Sequence, residues 1–142
     1  MEHSIPRRRR TLVALLVSAL LIGVPMTSAL AHPKSKIRSG FCHVDWRSGP
    51  HSVKHLIRCA QRRWHVPGGA RKAISVGRCE SGFNPKASSG SSDGVFQQNS
   101  RYWPGRAKKW GFEGWSAFNG RANVLVSIQM AHSEGWSAWA CA

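Results

Sequence analysis

The sequence predicts a mainly α-helical, compact single domain held together by two disulfide bonds. Apolar residues recur at the 3.6-residue period of a helix in three segments. Four cysteines follow a segment with the features of a secretion signal, and removing that segment, residues 1–31, leaves 111 of the 142 residues. A chain of that length suits one domain with a modest core rather than two.

Residues 1–31 are predicted to be a secretory signal peptide that is cleaved after Ala31. Arg7–Arg10 form a positive n-region, Leu12–Val24 form an apolar h-region, and small residues lead up to the cleavage point. A retained membrane anchor is the alternative. However, the apolar run is only about 13 residues long and is broken by Pro25, whereas roughly 20 are needed to cross a bilayer. We therefore expect a secreted, extracellular protein with no stable membrane span after cleavage.

The mature chain, residues 32–142, is strongly basic. The signal contains Arg7–Arg10 and Glu2, so the mature chain keeps 17 of the 21 lysines and arginines and 5 acids, a formal charge of +12. The electrostatic field of such a charge attracts polyanions over a Debye length of about 8 Å. For a secreted protein the expected polyanion is an anionic cell envelope and not nucleic acid. Colloidal solubility is the alternative, and charge alone does not separate the two.

All four cysteines, Cys42, Cys59, Cys79 and Cys141, lie in the mature part of the chain. An even number of cysteines behind a signal peptide indicates two disulfides formed in an oxidising compartment. A zinc site is the alternative, but the chain has no two cysteines at the close spacing of a zinc-binding pair. Four cysteines allow three pairings, and spacing alone does not choose among them.

The first elements in chain order are a basic arm, residues 32–51, and a helix. The arm is rich in Gly and Ser and has no periodicity, so we expect it to be extended and tied down by Cys42. Ser52 is placed to cap the first helix and to open the folded domain, residues 52–142. The apolar positions of this helix are Val53, Leu56, Ile57, Ala60 and Trp64. Pro67-Gly68-Gly69 is expected to end it.

A second helix is predicted over residues 70–81 and carries Glu80 near its end. Glu80 follows Val76 by four residues and Ala73 by seven, so the three side chains share one side of the helix. That position directs a carboxyl group at an apolar neighbourhood, which favours its protonated form. Most glutamates on helices are solvated surface groups. Because the mature chain has so few acids, Glu80 is nevertheless a candidate catalytic acid.

The rest of the chain is predicted to be a long connection and two further helices. Residues 84–94 are rich in Ser and Gly, and this connection is too long for a tight hairpin and is of a kind that often carries function. A short basic helix is expected around residues 100–110, with Pro104 in its first turn. The last helix is expected over residues 121–134, with Gly135 after its end. Its apolar face is formed by Val124, Ile128 and Ala131.

Asp93, at the end of that connection, is the possible second carboxylate. Catalysis by a pair of carboxylates needs a defined separation between them, about 5–5.5 Å or about 6.5–9.5 Å depending on the mechanism. Asp93-Gly94 is also an ordinary turn dipeptide, so a purely local role for Asp93 is the alternative. The other acids of the mature chain are expected at the surface; they are Asp45, Glu113 and Glu134.

Seven tryptophans are many for a chain of this size, and their rings either stack on sugar rings or supply core volume. We assign Trp64, Trp136 and Trp139 to the core and leave both roles open for Trp103 and Trp110. The histidines form no metal-binding array, and no serine lies in a Gly-x-Ser-x-Gly elbow. Zinc-protease and serine-hydrolase functions are therefore disfavoured, and no metal or organic cofactor is expected.

Two strings carry a resemblance to a known family. RCESGFNP at residues 78–85 and GVFQ at residues 94–97 resemble the E-S-x-F-N-P and G-L-x-Q motifs of soluble lytic transglycosylases. WHVP at residues 64–67 looks like the opening of actinobacterial lysozyme-like domains. The Cys79-Glu80 pair and GWSAWAC at residues 135–141 are similar to the resuscitation-promoting-factor branch. The resemblance spans roughly residues 53–141 and implies a lysozyme-like α+β fold.

The same resemblance implies a disulfide pairing and residue roles. Cys79 would bond Cys141, which leaves Cys42 for Cys59. Glu80 would act first as acid and then as base, and Ser81 would form a hydrogen bond near it. The predicted substrate-binding residues are Ser81, Gln97, Asn123 and Trp103. Two departures from the family stand out: Tyr102, the sole Tyr, lies outside the motif of the cleft tyrosine, and Val95-Phe96 replaces Leu-Met.

The predicted function is cleavage of peptidoglycan glycan strands by a monomeric, cell-wall-associated enzyme. Its target would be the β-1,4 bond between N-acetylmuramic acid and N-acetylglucosamine. Lytic transglycosylase chemistry with Glu80 as the single catalytic carboxylate is favoured because no clear second carboxylate is present. A lysozyme-type hydrolase helped by Asp93 is the close alternative. A non-catalytic cationic module that binds walls or acts as an antimicrobial would explain the charge, disulfides and tryptophans, but not Glu80 within its motif.

Overall fold

Four α-helices form about half of residues 41–142, the part of the chain that the computed structural model describes. In chain order they are α1 (Pro50–Arg63), α2 (Gly69–Ser81), α3 (Trp103–Lys109) and α4 (Gly120–Glu134). A 3-10 helix at Trp46–Ser48 precedes them, and an antiparallel pair, β1 (Ser92–Asp93) and β2 (Gln98–Asn99), lies between α2 and α3 in sequence. The prediction of a mainly helical, compact chain is confirmed. The predicted signal, residues 1–31, and residues 32–40 of the predicted arm lie outside the described residues.

Helix α4 forms the centre of the core. Its residues 122–131 are all buried, and α1 and α3 pack against it. The prediction of one inward face formed by Val124, Ile128 and Ala131 is therefore too narrow, since Leu125 on another side is equally buried. A helix that is buried on more than one side is surrounded by other parts of the protein rather than resting on the core with a single face. No helix within residues 41–142 is long and apolar enough to span a membrane.

Helix α1 begins at Pro50, two residues before the predicted cap at Ser52. Its N-cap is Gly49, with φ +104°, and no side chain caps the helix. Proline suits the first helical position because its fixed φ is already helical and its missing N–H would have no partner there. The assignment of Ser52 as the cap is therefore wrong. The predicted inward face is confirmed for Val53, Leu56, Ile57 and Ala60, which are all fully buried. Trp64, predicted to share it, is the C-cap of α1 and is only partly buried against the core.

The N-terminal segment, residues 41–49, packs on the core and is not an extended arm. Cys42 is only 6% exposed. The ring of Phe41 meets Trp64 edge-on with centroids 5.3 Å apart, and the Phe41 carbonyl accepts a hydrogen bond from Arg121 Nη2 at 2.9 Å. Asp45 starts the 3-10 helix by accepting hydrogen bonds from the Ser48 hydroxyl and a backbone N–H, and these bonds lower the pKa of Asp45.

The connection at residues 84–94 ends in a short hairpin. Ser92 lies opposite Asn99 and Asp93 opposite Gln98, so the chain reverses within Gly94–Gln97. The connection itself is not a tight hairpin, but its last residues supply the first strand of a hairpin that the sequence analysis did not predict. Strands of two residues are too short to show the alternating pattern by which a sequence reveals a strand.

Both predicted disulfides are present. Cys42 bonds Cys59 with their Cα atoms 5.6 Å apart, and Cys79 bonds Cys141 with theirs 5.8 Å apart. No cysteine among residues 41–142 is free. The first bridge fastens the N-terminal segment to α1, and the second fastens the C-terminal segment to the last turn of α2.

We expect loss of the Cys79–Cys141 bridge to destabilise the protein more than loss of the Cys42–Cys59 bridge. The two bridges join residues 62 and 17 positions apart, and such loops constrain the unfolded chain by about 4 and about 3 kcal/mol, respectively. Cys141→Ser should therefore lower the Tm measured by calorimetry more than Cys42→Ser does.

Double variants with Ser at both cysteines of one bridge control for the thiol that a single exchange leaves behind. A larger Tm loss without the Cys42–Cys59 bridge would contradict the expectation. It would indicate that packing of the buried Cys42 outweighs the difference in loop length.

Candidate functional site

Glu80 lies in the last turn of α2 and is half-buried. At about 100° per residue, it projects from the same side of α2 as the buried residues Ala73 and Val76. Its Oε1 accepts a hydrogen bond of 3.2 Å from the backbone N–H of Cys141. The disulfide of the preceding residue, Cys79, holds Cys141 beside it. The carboxylate is thus fixed between α2 and the C-terminal segment.

The chain turns sharply immediately after Glu80. Gly82 and Phe83 both adopt positive φ, +62° and +68°, and the Gly82 N–H donates to the Arg78 carbonyl at 2.8 Å. This turn brings the Phe83 side chain, 5% exposed, back under α2. There a Cβ on Gly77 would lie 3.6 Å from the Phe83 ring. The buried Phe83 and Gly77 therefore support the helix end from below.

The resemblance implies a hydrogen bond of Ser81 near Glu80, and the Ser81 hydroxyl, in the next residue along the chain, bonds to backbone carbonyls. This hydroxyl donates to the Val95 carbonyl at 2.7 Å, with a longer contact of 3.5 Å to the Gly77 carbonyl. The bond to Val95 fastens the end of α2 to the turn between β1 and β2. Ser81 is therefore a positioning residue that holds one side of the site against the other.

Gln97 closes the turn formed by residues 94–97, and its side chain is used within the protein. Its Nε2 donates to the carbonyls of Gly94 at 2.9 Å and Ala87 at 3.2 Å, and its Oε1 accepts from the Ser89 hydroxyl at 2.8 Å. The residue has φ +43°, an uncommon value for a non-glycine residue. These bonds brace the connection before the hairpin. Because they occupy both polar ends of the Gln97 side chain, only the exposed part of this half-buried residue is open to a sugar, as its predicted substrate-binding role requires.

Asn123 anchors the same turn from inside the core. Its Oδ1 accepts from the Phe96 N–H at 2.8 Å, and its Nδ2 donates to the carbonyls of Asp93 and Ala117 at 3.0 Å each. The residue is fully buried. It is predicted to bind substrate, but its described hydrogen bonds all lie within the protein. Asn123 is therefore a positioning residue in this structure.

Gly94 is required where the turn passes Asn123. Its φ is +79°, a conformation that residues with a Cβ rarely adopt. A Cβ at this position would also collide with the Ala117 carbonyl oxygen and the Asn123 side chain. The glycine thus allows the turn to approach α4 closely enough for Asn123 to bind it.

Trp139 connects this turn to the segment that holds Glu80. Trp139 lies two residues before Cys141, and its Nε1 donates to the Phe96 carbonyl at 2.9 Å. The rings of Phe96, Trp136 and Trp139 form a cluster with centroids 5.2–6.3 Å apart. Trp136 and Trp139 are buried, as predicted. The sequence analysis missed the hydrogen bond from Trp139 and the one from the Cys141 N–H, because each joins residues that are far apart in sequence.

Trp103 lies in the core. It is 6% exposed, and its Nε1 donates to the Trp115 carbonyl at 2.7 Å, so the face needed for stacking on a sugar is covered. Trp110 is partly buried against the core. The exposed large apolar residues of the described chain are instead Tyr102, at 54%, and Phe118, at 41%. The sequence analysis assigned neither of them a role.

Asp93 and Glu80 have separate hydrogen-bond partners. Asp93 is half-buried, and its Oδ1 accepts from the Ser88 hydroxyl at 2.8 Å, while its own carbonyl is held by Asn123. The Ser88 bond is of the local kind that the turn interpretation of Asp93 predicts. Within residues 41–142, no three or more His, Cys, Asp or Glu side chains gather closely enough to hold a metal ion.

Two sizeable grooves of the described chain lie away from Glu80. One, of about 530 Å³, runs between α1 and α2, and the other, of about 580 Å³, lies beside the 3-10 helix. Glu80 lines neither. Volume measures available space and not reactivity, so we place the candidate active site at the half-buried carboxylate and its fixed surroundings.

Comparisons of the chain with models of protein families, with curated proteins and with solved structures give no match. The functional argument therefore starts from the contacts of Glu80 and from the motifs in the sequence.

Proposed function

We propose that this protein is a secreted, lysozyme-like glycosidase that cleaves the β-1,4 bond between N-acetylmuramic acid and N-acetylglucosamine in peptidoglycan. The observation that supports this most is the position of Glu80. It is an acid in a strongly basic chain, it remains half-exposed, and the Cys141 N–H holds one of its two oxygens. The walls beside it are fixed by Ser81 and Asn123, so a substrate would meet a rigid site.

In this proposal the two carboxyl oxygens of Glu80 have different tasks, which the hydrogen bond from Cys141 supports. Oε1 accepts the N–H of Cys141, which leaves Oε2 without a described partner and available to carry the proton. Protonated Glu80 gives this proton to the glycosidic oxygen as the bond to the N-acetylmuramic acid carbon breaks. The sugar's own acetamido group stabilises the positive charge at that carbon. Glu80, now ionised, takes the proton of the 6-hydroxyl, whose oxygen closes the anhydro ring.

The hydrolase alternative differs in the role of Asp93. If Asp93 acts as a second carboxylate, water attacks the sugar carbon and the product carries a free reducing end. The bonds that hold Asp93, from Ser88 to its side chain and from Asn123 to its carbonyl, favour a local role in the hairpin. We therefore favour cleavage with a single carboxylate.

The identity of the product tests this choice. We expect Asp93→Asn to keep most of the cleavage activity, and we expect the parent enzyme to release fragments with an anhydro end. Mass spectrometry distinguishes that end from a hydrolysed end, because it is lighter by one water. Ser88→Ala is the matched control, since it removes the hydrogen bond at Asp93 Oδ1 and retains the carboxylate. Hydrolysed ends, together with inactivity of Asp93→Asn alone, would establish the hydrolase.

A non-catalytic wall-binding module is the second candidate. The formal charge of +12 for the predicted mature chain supports it, because such a charge favours adhesion to an anionic envelope. Adhesion alone does not require a half-exposed carboxylate fixed by a backbone N–H. Binding to walls without release of any glycan fragment at any pH would favour this candidate.

A further inference from the structure

The groove between α1 and α2 is rich in arginine. Its lining consists of Arg58, Ala70, Arg71, Ile74, Ser75 and Arg78. Arg71 and Arg78 lie seven residues apart on one side of α2, and Arg58 approaches from α1. At about 100° per residue, this side of α2 is roughly opposite the side that carries Glu80. We call this surface the arginine groove.

The three guanidinium groups of the arginine groove have no acidic partner within residues 41–142. The ion pairs of the described chain are Lys108–Glu113 and Lys109–Glu134, both on other elements. All three arginines are exposed, so their N–H donors are accessible to a ligand. Helix α2 also has no acid in its first turn and no side-chain cap at its N-terminus, next to Ala70 and Arg71. No ion pair within residues 41–142 therefore offsets the positive charge of this groove.

We propose that the arginine groove binds a phosphodiester-linked polyol polymer of the cell envelope. A guanidinium group presents a planar fork of donors that matches the oxygens of a phosphate. Arg71 and Arg78 are about 10 Å apart along the helix axis, a span that suits repeated phosphates better than a single ion. The side chain of Ile74 lies between them, next to the carbon units that separate successive phosphates. A phosphodiester also carries its charge in the polymer backbone, so a chain lying along the groove meets each arginine directly.

This inference concerns a second site on the opposite side of α2 from Glu80. Anion binding by the groove follows from the described arginines alone, whereas the choice of an envelope polymer rests on the proposed function and on the predicted secretion. With the two sites on opposite sides of one helix, the groove attaches the enzyme to the wall while the site at Glu80 stays open to a glycan strand.

Binding of the secreted, full-length protein to poly(glycerol phosphate) tests the proposal. The test variant carries Arg58→Gln, Arg71→Gln and Arg78→Gln. The matched control carries Lys86→Gln, Arg101→Gln and Lys108→Gln, which remove the same charge from exposed positions elsewhere. At about 150 mM salt we expect the Kd of the test variant to rise at least about 10-fold, and that of the control less than about 3-fold. Circular dichroism checks that both variants are folded.

Two outcomes would overturn the proposal. Equal weakening by the test and control variants would show that only the overall field attracts the polymer. Tighter, groove-dependent binding of single-stranded DNA or of poly-glutamate at equal charge would show that the groove recognises a different polyanion.

Two further measurements keep this result separate from the proposed function. The test variant should cleave a short soluble glycan at the parent rate, and Glu80→Gln should bind poly(glycerol phosphate) with the parent Kd. If Glu80→Gln proves fully active on glycans while the groove variant loses binding, the proposed function fails and the anion-binding site remains.

Discussion

Glu80→Gln should reduce cleavage of peptidoglycan at least about 100-fold, measured as release of soluble glycan fragments. Glutamine is nearly the same size as glutamate and still offers an oxygen to the Cys141 N–H, but it has no proton to give to a glycosidic oxygen. The hydrogen bond and the packing around the end of α2 are therefore retained, so we expect the Tm to change little. The loss should appear in kcat and not in the affinity for walls.

Glu134→Gln is the matched control for this exchange. Glu134 also lies in the last turn of a helix, is exposed and pairs with Lys109, so its exchange removes the same charge away from the site. Exposed ion pairs of this kind contribute at most about 1 kcal/mol, so both activity and stability should stay near the parent values. If Glu80→Gln digests walls as fast as the parent, the enzymatic function proposed for this site is wrong.

Asn123→Ala should lower the free energy of unfolding by about 3–5 kcal/mol. The exchange leaves the Phe96 N–H and the carbonyls of Asp93 and Ala117 without their partner inside the core. A buried polar group without a hydrogen bond costs about 1–3 kcal/mol, and the missing side chain also leaves a cavity. Urea unfolding followed by circular dichroism measures the change.

Gln129→Ala is the control on the same helix. Gln129 is also buried, but its Nε2 donates to the Leu125 carbonyl within α4, so its loss leaves no distant segment without an anchor. We expect it to cost less than half as much stability as Asn123→Ala. If instead Asn123→Ala kept full stability and raised only KM for glycan, the positioning role would be refuted in favour of the substrate-binding role that the resemblance implies.

The bounds of the helices are predictable where local chemistry sets them. Helices α2 and α4 are predicted within one residue of their observed starts, and Gly82 and Gly135 with positive φ follow their ends. The start of α1 is not predictable in the same way, because the sequence allows a helix that begins at Pro50 as well as one that is capped by Ser52. The choice between them depends on how residues 41–49 pack against the core, which no local pattern records.

The candidate site is likewise predictable where local sequence determines it and not where distant parts of the chain do. Glu80 stands out in the sequence because its motif is continuous and acids are scarce. Its partner, the Cys141 N–H, lies 61 residues away, and a backbone donor leaves no trace in composition or periodicity. The structural role of Asn123 did have a signal. Asn123 has apolar neighbours on both sides along α4 and becomes buried with them, and buried polar groups require partners.

The bond between Cys79 and Cys141 can form only late in the synthesis of the protein. Cys141 emerges during synthesis 62 residues after Cys79, so the bridge that holds its N–H beside Glu80 cannot close until nearly all of the described chain has been made. The bridge also forms only where thiols are oxidised, which the cytoplasm does not favour. In the reduced, newly made chain, Glu80 lacks the covalent link that brings Cys141 to it. The newly made chain would therefore remain without this bridge until it reaches an oxidising compartment, and only there would Cys141 be fixed covalently beside the carboxylate.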